Sequence, residues 1–162
     1  MAELQLREPS QRVSPRARTM WLVGAATEGV VTLGILLVVA YVWAPVDVPW
    51  WVPVLVGLLL AAYVVVVPRW KYAVHRWEVT DTAVYTQTGW WTRERRIAPM
   101  SRIQTVDYSE GALERLFGLA SVTATTASAA GALQIAALDK QLARRLAEEL
   151  TIKADSVPGD AT

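Results

Sequence analysis

The chain has 162 residues, 53% of them hydrophobic, with sixteen Lys plus Arg against fifteen Asp plus Glu, one histidine and no cysteine. That length suits one domain. One histidine without cysteine excludes zinc, haem and thiol centres of the usual ligand types within a single chain, and no cofactor is expected.

Residues 1–20 are polar, contain Pro9 and Pro15, carry a formal charge of +2 and show no sustained apolar period, so they read as a mobile cytoplasmic tail. The fifty residues between Arg18 and Arg69 hold only two formal charges, Glu28 and Asp47, and form two apolar runs split at Pro45 to Pro49. Trp21 to Trp43 is about 34 Å long as a helix and Trp50 to Val67 about 27 Å, against a bilayer core of roughly 30 Å. Two membrane spans, 21–43 and 50–67, are expected. A signal peptide fits less well, because the first run is too long and no small-x-small cleavage pattern follows it.

Arg12, Arg16 and Arg18 precede the first run, Arg69, Lys71 and Arg76 follow the second, and the connecting loop has no basic residue. The positive-inside rule then puts both termini in the cytoplasm of a multi-pass inner-membrane protein. Tryptophans 21, 43, 50, 51 and 70 stand where amphipathic indoles favour the interface. Inside the first run, an acid at Glu28 needs a partner, and Tyr63 of the second run is a candidate. Gly24, Glu28 and Thr32 share a face, and Ala25-x-x-x-Gly29 beside them permits close helix contact. Glu28 reads as a hydrogen-bonded packing residue, a handle for a partner span, or a proton or ion pathway.

Residues 71–153 have strand character, starting with alternation at His75 to Val79 and a turn at Thr80-Asp81-Thr82. Ala83 to Thr88 leads to a turn at Gly89, and further strands are expected at 92–98, 103–108, 119–126 and 132–137, six in all. His75 reads as a strand residue near the membrane surface. Leu138, Leu142, Leu146 and Leu150 recur every four residues, which predicts an amphipathic helix over 138–152 packed on the sheet, or presented as an interaction surface. Residues 154–162 read as a disordered tail. From residue 71 onward eleven basic residues meet eleven acidic ones, without the net basic face that a nucleic-acid partner requires.

The stretch Gly89-Trp90-Trp91-Thr92-Arg93-Glu94-Arg95-Arg96 follows from hairpin parity. The first strand leaves the second span, the second returns, and the Gly89 turn comes back to the membrane surface. Trp90, Trp91, Arg93 and Arg95 are therefore candidates for membrane-interface contact; core packing of one tryptophan and a partner site are the alternatives.

Two motifs carry a resemblance. Arg96-Ile97-Ala98-Pro99-Met100-Ser101-Arg102-Ile103-Gln104-Thr105-Val106 looks like a strand, a Pro-containing turn and a following strand. Leu113-Glu114-Arg115-Leu116-Phe117-Gly118 looks like a short helical turn ending at glycine. In order and spacing they resemble the bacterial pleckstrin-homology-like (PH-like) membrane proteins, a family long catalogued as a domain of unknown function, over about residues 20–152. The resemblance implies a membrane α-helical hairpin plus a mainly-β PH-like barrel of two bent antiparallel sheets, capped by a C-terminal α-helix. It marks Pro99, Arg102, Ile103, Gln104 and Gly118 as motif residues. Pro99 suits a strand end and Gly118 a helix C-terminus with positive φ. Arg93-x-Arg95 is superficially similar to the basic pairs with which some eukaryotic PH domains hold inositol phosphates. It follows the second strand rather than lying between the first two, so that ligand is not carried over.

No catalytic constellation is visible, and the expectation is a non-enzymatic binding or scaffolding module at the cytoplasmic face of the bacterial inner membrane. Membrane lipids, and a membrane protein or a second copy, are its expected partners. The alternative is an accessory subunit of a membrane transporter or envelope complex, docking through its transmembrane helices.

Overall fold

The computed structural model describes residues 8–43, 48–127 and 131–156. Its first regular element is a short strand, β1 (Gln11–Arg12), followed at once by helix α1 (Pro15–Val38). The Ser14 hydroxyl accepts from the Arg16 amide, and Pro15 supplies a preset φ at a position whose N–H has no helical partner. A π-helical turn, Val39–Trp43, continues α1. Helix α2 (Trp51–Val74) returns beside it, and Gly29 lets the two approach: a Cβ built there would lie 3.5 Å from Val64. Both helices are long and apolar enough to cross a membrane, and only 6% of each apolar window is buried. Val30 at 72% exposure and Leu58 at 64% belong to an apolar surface larger than a water-soluble domain tolerates.

Two antiparallel sheets follow. The first has the order β1-β2-β3-β4, with β2 (Arg76–Val79), β3 (Ala83–Thr88) and β4 (Glu94–Pro99). The second has the order β5-β6-β7, with β5 (Ile103–Ser109), β6 (Leu119–Thr126) and β7 (Leu133–Asp139). A short helix, α3 (Ala112–Phe117), joins β5 to β6, and α4 (Lys140–Ser156) covers the second sheet. Trp77, Val84, Met100, Leu119, Val122, Leu138, Leu146 and Leu150 are buried together between the layers.

The expected two-sheet architecture with a C-terminal helix is present, and several boundaries move. Residues 8–20 are no loose tail. Gln11 pairs with Trp77, and Val13, Ala17 and Met20 enter the barrel core, so the first two turns of α1 belong to the barrel. This segment supplies a seventh strand among the described residues. The helices outrun the apolar runs, α1 starting at Pro15 and α2 ending at Val74, because packing against the barrel extends them past the apolar residues. His75 is the residue capping α2, not part of a strand. Leu138 lies in β7 and Leu142 is 41% exposed, so the buried face of α4 is Ala143, Leu146 and Leu150. Ala143, invisible to a leucine count, completes that face. Of the expected C-terminal tail, residues 154–156 are helical and 157–162 lie outside the described residues.

A polar chain ties helices to sheets. The Ser121 hydroxyl donates to Glu114 Oε1 of α3 at 2.5 Å and accepts from the Ala137 amide at 3.3 Å. The Ala137 carbonyl accepts from the Ser14 amide at 3.1 Å. Ala137 holds a φ of 55° where the β6–β7 register shifts, so this junction is bought with backbone strain.

Candidate functional site

The turn between β3 and β4 closes at the Thr88–Glu94 pair and rests on α2. Gly89 has φ 114°, and a Cβ there would lie 1.8 Å from the Thr92 carbonyl oxygen, so the turn demands glycine. The Trp90 ring stands edge-on to Tyr63 with centroids 6.3 Å apart, and Trp91 stands edge-on to Trp90 at 6.0 Å. Tyr63 is four residues, about 6 Å of helix, inside the apolar run that ends at Val67. Trp90 is 43% exposed and Trp91 87%, which removes core packing as the role of either ring.

The two outer candidates part company. Arg93 is exposed at the tip, whereas Arg95 is built into the sheet. Arg95 Nε donates to Gln87 Oε1 at 2.8 Å, and its Nη2 pairs with Glu8 Oε1 at 3.0 Å. Gln87 is buried, and its Nε2 donates to the Val74 carbonyl at the end of α2. Strand pairing begins only at Glu94, two residues later than the expected start at 92, so Arg93 lies outside the strand.

A cleft of about 490 Å³ opens between this hairpin and α2, lined by Arg69, Arg76 and Arg93 and by Val65 and Val66. Sequence reasoning used Arg69 and Arg76 only as topology signals and missed Gln87. No local pattern brings residues this far apart in the chain together.

On the opposite side α3 meets α1: a Cβ on Gly24 would lie 3.6 Å from Leu113, and Leu116 is 76% exposed. Both leucines were read only as motif residues. The Glu114 side chain accepts from the Gly111 amide at 2.9 Å, and Gly118 ends α3 with φ 67°. Glu28, Tyr63 and Lys71 line one crevice of about 560 Å³ between α1, α2 and α3. Among the described residues Glu28 and Tyr63 make no hydrogen bond to each other, and Glu28 is exposed; Tyr63 is engaged by Trp90 instead. Of the other motif residues, Pro99 closes β4 opposite Ala83 and Ile103 is buried. Arg102 and Gln104 are exposed, and the Arg102 carbonyl accepts from the Ala127 amide at 3.1 Å. Among the described residues no group of three His, Cys, Asp or Glu is placed to hold a metal.

The model of the bacterial PH domain matches residues 29–153. The chain belongs to the bacterial PH domain family. It is 30% identical over 148 residues to the UPF0699 transmembrane protein YdbS of Bacillus subtilis (strain 168), covering 89% of this chain and 92% of that protein. No solved structure gives a significant match. With two bare apolar helices and a transmembrane relative, this bacterial PH domain protein is a membrane protein. The comparisons indicate no catalytic family.

Proposed function

We propose that the protein is a non-enzymatic binding or scaffolding module held on the cytoplasmic face of the inner membrane by a two-span hairpin, with the segment before α1 and the barrel both in the cytoplasm. Pairing of β1 with β2 supports the shared side, and the basic residues flanking the two apolar runs support its being the cytoplasmic one. The observation that carries the reading is the Trp90–Tyr63 contact. It sets an exposed tryptophan pair beside the apolar end of α2, where indoles favour the bilayer interface and amphipathic surfaces bury about 5–10 Å. Leu116 offers a second apolar contact on the α1 side.

The cysteine-free sequence makes single-site labelling clean. A spin label on Trp91→Cys in reconstituted full-length protein should be more accessible to oxygen than to a water-soluble nickel chelate. A label on Asp81→Cys, at the far turn, should show the reverse. Equal access to the chelate at both sites would rule out the interfacial hairpin.

A second reading, an accessory subunit docking through its transmembrane helices, is favoured by Glu28, which is exposed on α1 and makes no ion pair among the described residues.

A further inference from the structure

The cleft between α2 and the β3–β4 hairpin is lined by arginines and by apolar residues of α2 together. Arg69, Arg76 and Arg93 line it with one acid, Glu8, and that acid is taken by Arg95 at 3.0 Å. Among the described residues none of the three lining arginines has an acidic partner. Arg69 Nη1 donates to its own helix, to the Val65 carbonyl at 2.8 Å, which turns the guanidinium toward Val65. Gln87, in the floor, is buried with both ends of its amide engaged, so the floor is fixed. Val65 and Val66 in the same lining are exposed parts of the apolar run of α2. An acidic peptide would satisfy the arginines but would have no reason to seat itself against valines in the membrane.

We propose that this cleft holds the phosphate of an anionic glycerophospholipid, with Arg69, Arg76 and Arg93 on the phosphate oxygens and an acyl chain along Val65 and Val66. Guanidinium forks match phosphate geometry, and in a partly desolvated cleft such contacts are stronger than at an open surface. The site rests on the reading of α2 as a membrane span, and it differs from general attraction to an anionic leaflet by being one bound lipid at named residues.

The test uses the full chain in nanodiscs of phosphatidylcholine containing a minor fraction of phosphatidylglycerol. The protein is then extracted into mild detergent and the retained lipid is quantified by mass spectrometry. Wild type should enrich phosphatidylglycerol over phosphatidylcholine. Each of Arg76→Gln and Arg93→Gln should lower the enrichment roughly fivefold. Arg102→Gln is the control, since the neighbouring Met100 amide bonds to the Thr82 carbonyl at the far turn. Unchanged melting temperatures separate loss of lipid from loss of fold, and Arg93, exposed in a turn, is the variant safest for folding. Soluble glycerol 3-phosphate, added as a competitor, identifies the source: failure to displace the lipid supports a membrane ligand, and displacement at millimolar concentration overturns that assignment in favour of a soluble phosphate ester. Equal retention of both lipids by wild type, or an equal loss in Arg102→Gln, also overturns the proposal. Failure of the span reading shows up separately, as protein that does not enter nanodiscs at all.

Discussion

His75 marks the place where α2 stops and the barrel starts. Its ring lies 5.0 Å from Trp21, and its Nδ1 donates to the Lys71 carbonyl at 2.8 Å. Burial, joined by the charge of Lys71, pushes its pKa below the ordinary histidine value, although the backbone hydrogen bond pulls the other way. Glu94 and Arg96, from β4, line the same pocket. The unfolded chain takes up a proton near pH 6.5 while the folded chain resists until lower pH, so the unfolded state binds more protons in between. The contribution of His75 is therefore complete above about pH 6.5 and is lost as the pH falls through the folded value. Thermal melts in mild detergent from pH 7.5 to 5 should show a falling midpoint, and His75→Gln should flatten that slope. A wild-type midpoint that stays level over this range would contradict the assignment.

At the scale of elements, α1 uses neighbouring faces for different tasks. Gly29 turns toward Val64 and Gly24 toward Leu113, so the small residues serve contacts within the chain, while Glu28 beside them is exposed. Glu28→Leu should therefore leave the hairpin and barrel intact yet weaken association with a second copy or a partner span. Cross-linking yield and size in mild detergent measure this, and values equal to wild type would make the acid merely tolerated. The two long helices and the strands from β2 to β7 were legible in the sequence because each carries its own period and its own turn residues. Helix α4 was legible as an element and at Leu146 and Leu150, but not at Ala143, which counts for little in a pattern search yet is fully buried. Strand β1 was illegible: two residues carry no period, and what makes them a strand is Arg76 and Trp77, on the far side of both helices. The candidate site was half legible. Trp90 and Trp91 announce themselves, but the engagement of Arg95 by Glu8 and Gln87 is a product of tertiary pairing alone.

On the scale of the whole molecule the barrel is discontinuous, with the helical hairpin inserted between its first strand and the rest. Residues 71–162 alone lack β1 and lose Val13, Ala17 and Met20 from the core, three side chains at most 7% exposed in the intact chain. Emptying one large apolar position typically costs about 2–5 kcal/mol, against a total stability of roughly 5–15 kcal/mol for a domain. Expressed by itself, 71–162 should lack a cooperative melt and near-ultraviolet circular dichroism, and supplying residues 8–20 through a linker should restore both. A sharp melt of 71–162 alone would show that the N-terminal segment is dispensable.

The placement of β1 also fixes an order of events during synthesis. Gln11 and Ser14 leave the ribosome first, yet Trp77 and Ala137, which receive them, emerge only after both apolar helices have been made. The leading segment must wait, unpaired, until both helices have been made. The barrel closes only once β7 arrives, and under the proposed two-span topology a chain in which only one helix inserts has its first strand on the wrong side to complete the sheet.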